Sequence, residues 1–334
     1  MKYKSIAVIY GGDSSEWEIS CKSGEFVASN IDSSKYDVYE IFARLGTWQL
    51  VSYNENNNGR ILLEESKIEV DKNDFSIVLN GKKVKFDFAY IMQHGTPGEN
   101  GLLQAYFEML NVPFSTSSSF VSAMNFDKQT CKFYIYPLDY VKCAKDAFIR
   151  KGQDINEDEI IEKLGLPIFV KPTIGGSSFG ITKVKTKEEL IPAIDFAYTE
   201  SDTILLESEI IGRELTDAVF YDGKENVALP VIEIITENDY FDYEAKYQGK
   251  SQEVCPANIP IELKEEIQQV SKKLYSHLDC AGLVRFDYIY SNDGLYFLEV
   301  NNIPGMTSAS LVPQMVRAAK IEMKDFLSSI IENS

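Results

Sequence analysis

The stretch from Leu283 to Asn301, LVRFDYIYSNDGLYFLEVN, alternates in character on both sides of Asn292-Asp293-Gly294. A period of two marks strands with one face buried, and a short Gly-containing segment between two such runs predicts a hairpin. If Asn292-Asp293-Gly294 is a three-residue loop, Ser291 pairs with Leu295, Asp287 sits opposite Glu299, and Arg285 sits opposite Asn301. All four side chains then share one face. Carboxylates that meet directly across a ladder repel unless a cation lies between them. Oxygen ligands without His or Cys point to Mg²⁺ or Mn²⁺, with phosphate oxygens completing the shell. Two carboxylates alone suit an ordinary solvated face equally well. Arg285 and Asn301 on the same face, and the adjoining Asn302-Ile303-Pro304-Gly305-Met306-Thr307, favour a site.

Upstream of the hairpin, strands are expected near Leu215 to Tyr221 and from Val227 to Ile235. Leu263, Ile267, Val270, Leu274 and Leu278 recur at three- and four-residue steps, which predicts an amphipathic helix. Between these, Thr236 to Pro260 has no period and reads as a lid loop. Ile168 to Lys171 and Ile181 to Lys185 read as strands around Gly175-Gly176-Ser177-Ser178-Phe179-Gly180. That is strand–loop–strand, unlike a Walker A site, and its backbone N–H groups suit a phosphate. At the N-terminus, the apolar run Ser5 to Tyr10, a helix from Ile19 to Ile31 and a strand from Tyr39 to Ala43 form a β-α-β unit. A third strand, Phe86 to Met92, ends at Gln93-His94-Gly95, and loops at the carboxyl ends of such strands are where ligands gather.

Composition narrows the partners. The 334 residues are 44% hydrophobic and suit two or three domains at about 100–200 residues each. With 33 basic against 51 acidic side chains the net charge is -18, which repels a nucleic-acid backbone. No apolar run is long enough to span a bilayer, so a cytoplasmic protein without a membrane partner is expected. Five cysteines without paired spacing read as reduced, mostly buried thiols. His277 lies within the amphipathic pattern and reads as structural. His94 is better placed for function.

Taken in order, GGDSSEWEIS, HGTPGENG, FDK, VKPTIGGSSFG, DYEAKY, VRFDY and LEVNNIPGMTSASLVP resemble the D-alanine–D-alanine ligase family of ATP-grasp enzymes. The motifs cover nearly the whole chain. The resemblance implies a three-domain α/β ATP-grasp architecture, with an N-terminal parallel-sheet domain (1–126), a central domain (127–213) and a C-terminal domain (214–334) carrying metal site and lid. It implies that ATP and D-alanine are substrates joined by way of an acyl phosphate, and that a homodimer is an admissible assembly.

By the same resemblance, Lys128 and Lys171 hold the ATP phosphates, Ser178 lies in the flap, and Glu207 and Glu214 contact adenine and ribose. Asp287, Glu299 and Asn301 bind two Mg²⁺ or Mn²⁺ ions, and Lys246 reaches the γ-phosphate when the lid closes. Glu16 fixes the first amino group and is linked through Ser177 to Tyr247, with His94 close by. Arg285 and the Gly305 backbone N–H stabilise the reacting carboxyl group, and Ser310 and Leu311 meet the second D-alanine. Two positions depart from the family pattern: Thr173-Ile174-Gly175 ahead of the serines, and Ser208 where Lys is frequent.

Overall fold

The structure is a computed structural model that describes residues 2–63, 67–176, 179–236 and 251–334. Its first sheet runs in the order Ile61–Leu62, Thr47–Asn54, Asp37–Arg44, Ser5–Gly11, Phe88–Ile91. Ser5–Gly11 pairs in parallel with both its neighbours, as its continuous apolar run leads one to expect, while Thr47–Asn54 and Ile61–Leu62 join in antiparallel. The helix Trp17–Asn30 lies against this sheet through Ser20, Ser23, Gly24, Val27 and Ala28. Gly24 sets how close it comes, because a Cβ there would fall 2.1 Å from the Tyr10 ring.

The second sheet is antiparallel, in the order Thr182–Val184, Ile168–Pro172, Thr203–Ser208, Asp146–Arg150. The strand–loop–strand reading of the glycine loop therefore holds. The adjacent helix Lys128–Ile135 starts at Asp127, whose carboxylate accepts the Thr130 N–H at 2.7 Å. Such a cap satisfies one of the N–H groups left over at a helix start.

The third sheet runs Ser251–Val254, Ile232–Thr236, Arg213–Tyr221, Leu283–Ser291, Gly294–Asn301, with Asn226–Ala228 also paired to Arg213–Tyr221. The expected strand Val227 to Ile235 is thus two strands. Pro230 has no N–H to give a ladder, and the chain breaks around it. Part of the expected lid is also sheet, since Ser251–Val254 pairs with Ile232–Thr236. The helix Ile261–His277 covers one face and buries Leu263, Ile267, Val270 and Leu274, as the periodicity predicts. The C-terminal helices Leu311–Ala318 and Met323–Asn333 return to the first sheet and share its core. No disulfide forms, and only Cys131 is fully buried while the other four thiols are half-buried, fewer than expected. Among the described residues no helix is long and apolar enough to cross a membrane.

A carboxyl group lies inside the third layer. Asp217 is fully buried, with Ser271 donating to its Oδ1 at 2.5 Å and the Tyr288 hydroxyl 2.7 Å from Ser271 Oγ. Burial, reinforced by nearby Asp287, pushes its carboxyl up to about 8. An acid raised above its unfolded value contributes fully below the unfolded pKa, and that contribution is lost as pH rises through the folded one. Stability is therefore expected to decline between about pH 4 and pH 8 through this group. Asp217→Asn should flatten that decline. Urea midpoints at the two ends of the range check it, and equal slopes for variant and wild type count against it.

Candidate active site

A cleft opens between the second and third sheets, lined on the second-sheet side by Lys128, Lys171 and Phe169 and on the other by Asp287, Glu299 and Asn301. Phe169, Ile181, Leu205, Ile210 and Leu298 make part of it an apolar slot. The hairpin does place Asp287 opposite Glu299 and Arg285 opposite Asn301. The turn differs from the sequence reading, for Ser291 pairs with Gly294, leaving Asn292-Asp293 as the loop. A register shift beside Asp287 then restores the pairing, with Leu298 as the extra residue of a bulge.

Asp287 is the best-held group of the site. Arg285 donates to both its oxygens, each at 2.9 Å, Asn301 Nδ2 donates to Oδ2 at 3.0 Å, and Thr216 donates to Oδ1 at 2.5 Å. Charge-assisted, two-pronged contacts of this kind fix the planes of both groups. Among the described residues no group of three or more His, Cys, Asp and Glu side chains gathers as a metal site. A cation here would rely on two carboxylates, the Asn301 amide oxygen and a ligand's own oxygens, which is how Mg²⁺ is usually held.

On the opposite wall, Lys132 is 3% exposed and pairs with Asp146 at 2.6 Å and with Glu207. Lys171 meets the other Glu207 oxygen at 2.6 Å. Burial pushes the Glu207 carboxyl up, but Lys171 and Lys132 outweigh it and hold it at about 2. Burial pulls the Lys132 ammonium down, and Glu207 and Asp146 reverse that into a net rise. The Glu207 carboxylate is therefore bound to lysines, and Lys171 keeps further N–H donors for a ligand. Lys128 donates to the Gly175 carbonyl at 3.1 Å, and Glu214 lines the cleft. Ser208, where a Lys was the family expectation, donates to the Leu164 carbonyl at 2.6 Å.

Glu16 stands at the start of the helix Trp17–Asn30 without a side-chain capping bond, and a Cβ on Gly176 would lie 2.7 Å from its Oε2. That puts its carboxylate against the glycine loop at Gly176. Glu99 accepts the Gly95 N–H at 2.7 Å, and burial, with Glu16 nearby, pushes it up to about 8 while Arg285 opposes this. His94 is 6% exposed, with Nδ1 3.0 Å from the Ile303 carbonyl and Nε2 3.1 Å from Ser23 Oγ. Burial pulls the ring below its ordinary value, although Glu16 acts the other way. His277, in contrast, bonds the Tyr134 carbonyl at 3.0 Å, consistent with a structural role.

Gly305 packs beside Ser310, whose Oγ accepts the Thr307 N–H at 3.0 Å. Leu311 is buried in the first core, so any ligand contact from it must come from its backbone at the start of Leu311–Ala318. Gln314 holds half-buried Glu253 and also donates to the Ala309 carbonyl at 2.9 Å. Ser177, Ser178, Lys246 and Tyr247, and the 237–250 part of the expected lid, lie outside the described residues. The sequence reading missed Lys132, Glu99, Thr216 and Ser23. Only Glu99, within HGTPGENG, carried a signal there.

The family description "D-ala D-ala ligase N-terminus" matches residues 5–117, and "D-ala D-ala ligase C-terminus" matches residues 132–332. The chain is 43% identical to a D-alanine–D-alanine ligase of Phocaeicola vulgatus over 99% of both chains. It is 44% identical to one of Parabacteroides distasonis, covering 99% of this chain and 97% of that one. A solved D-Ala:D-Ser ligase from Enterococcus faecalis superposes with a TM-score of 0.82 at 31% identity over 99% of each chain. A Bacillus anthracis D-alanine–D-alanine ligase complexed with ATP gives 0.75 at 29% identity, over 99% of this chain and 96% of that one. Cleft, hairpin and full-length likeness agree: this chain belongs to the D-ala D-ala ligase family.

Proposed function

We propose that this chain joins two D-alanines with cleavage of ATP, through a D-alanyl phosphate, and so supplies dipeptide for peptidoglycan in the cytoplasm. The observation that carries the reading is the facing of Lys128 and Lys171 against Asp287, Glu299 and Asn301 across one cleft. We divide the chain at 126/127 and 213/214, with the nucleotide between the second and third units.

The base of ATP suits the apolar slot, with Glu207 and Glu214 at its polar edge, and the phosphates suit Lys128, Lys171 and the backbone around Ser178. The donor set of Asp287, Glu299 and Asn301 fits Mg²⁺ or Mn²⁺, which when bound offsets charge on the phosphoryl oxygens. Glu16, against Gly176 of the glycine loop, receives the first D-alanine's ammonium, the role in which the family resemblance joins it with Ser177 and Tyr247. An oxygen of that D-alanine's own carboxylate then takes the γ-phosphoryl group, the bond from the γ-phosphorus to the bridging oxygen breaks, and ADP leaves. The second D-alanine lies with its carboxylate at Ser310 and the Leu311 N–H, where a helix start favours an anion. Its amine, having lost a proton, attacks the activated carbon. Arg285 and the Gly305 N–H bind the oxyanion, and the C–O bond to phosphate then breaks. An acyl phosphate lasts only where water is kept out, and the family resemblance assigns that task to the segment that carries Lys246.

A D-serine acceptor is the second reading, because the Enterococcus faecalis relative is a D-Ala:D-Ser ligase. Equimolar D-alanine, D-serine and D-lactate should give chiefly D-alanyl-D-alanine. A dominant mixed product would replace the acceptor assignment.

A further inference from the structure

We propose that Ser23 is a positioning residue of this reaction, acting through His94 as a strut that fixes both ends of the Ile303–Met306 loop. The inference rests on the ligase reading for what the loop does and on hydrogen bonding for how it is held. A carbonyl can only accept, so the Ile303 oxygen requires the proton on His94 Nδ1, 3.0 Å away. Nε2 is then a lone pair, and the Ser23 hydroxyl donates to it at 3.1 Å. The same Ser23 oxygen accepts the Met306 N–H at 3.3 Å. One imidazole and one hydroxyl thus span from Ile303 to Met306.

Both ring nitrogens are bonded within the protein, and both side chains are buried. His94 therefore has no proton to exchange with substrate, although it lies close to the first-substrate position. Glu16 favours a charged ring, while burial and Arg285 oppose it, and Glu99 shares the same neighbours. Ser23 is buried on its helix, where a hydroxyl is costly unless bonded, and its two bonds to His94 and Met306 satisfy it. Gly305 stands between the two tethered residues, and its N–H must point at the oxyanion. A displacement of about 1 Å in such a group can cost roughly a hundredfold in rate.

The test pairs Ser23→Ala with His94→Asn, whose amide reaches the Nδ1 position and keeps the Ile303 tie while losing Ser23. Each should lower kcat by roughly tenfold or more with KM for ATP unchanged, and the double variant should lose no more than either single one. The pH–rate profile should keep its shape in both. Hydrogen exchange at the Met306 amide should speed up in both, a readout that stands whatever reaction the enzyme performs. Unchanged exchange at Met306, additive losses, or an acidic limb that vanishes in His94→Asn would each overturn the strut. Dipeptide formation by the wild type is the separate control on the reaction itself.

Discussion

Glu299→Ala lowers kcat by roughly a hundredfold or more at saturating Mg²⁺, while the protein stays folded. Asp287 opposite it already receives Arg285, Asn301 and Thr216, so a cation at this hairpin leans on Glu299 as the second carboxylate. The substitution also removes one member of a repelling cross-strand pair, so the unfolding midpoint should hold or rise slightly. Steady-state kinetics across a Mg²⁺ series and a denaturant titration check both halves. Near-normal turnover would sink the metal assignment.

Lys132→Met should be the most destabilising single change in the cleft. It strips Asp146 of its ammonium and leaves Glu207 with Lys171 alone, and breaking one partner of a buried pair costs about 3–5 kcal/mol. Glu207 is held at about 2, below its unfolded value. Its contribution is therefore present above the unfolded pKa and lost as pH falls through the folded one. In the variant that loss should begin at higher pH. With Lys171 drawn fully onto Glu207, the KM for ATP should rise as well. Adding Glu207→Gln to Lys132→Met should recover part of the stability, since the two act on one cluster. A double variant less stable than Lys132→Met would show that the cluster works otherwise.

The two clusters differ in how visible they are before folding. Asp287 and Glu299 lie on consecutive strands, where alternation alone decides which side chains face one another. Even there, two one-residue differences cancelled, because a tighter Asn292-Asp293 turn was offset by the bulge at Leu298. The glycine loop and the helix Ile261–His277 were legible for the same reason, local periodicity. Pro230 was an available warning that Val227 to Ile235 is not one strand. Ser251–Val254 was hidden by its shortness and by Glu253. Lys132 meets Glu207 from 75 residues away, and His94 meets Ser23 and Ile303 across 71 and 209. Nothing local marks such partners, because a buried polar side chain looks ordinary until the packing that satisfies it exists.

In the proposed reaction a carboxylate oxygen of the first D-alanine takes the phosphoryl group from ATP. Supplying D-alanine labelled with heavy oxygen in its carboxylate, and analysing the phosphate released, tests that step directly. The account predicts that phosphate release depends on D-alanine and that labelled oxygen appears in the phosphate in step with dipeptide formed. Phosphate without the label, or release that D-alanine does not stimulate, would contradict it.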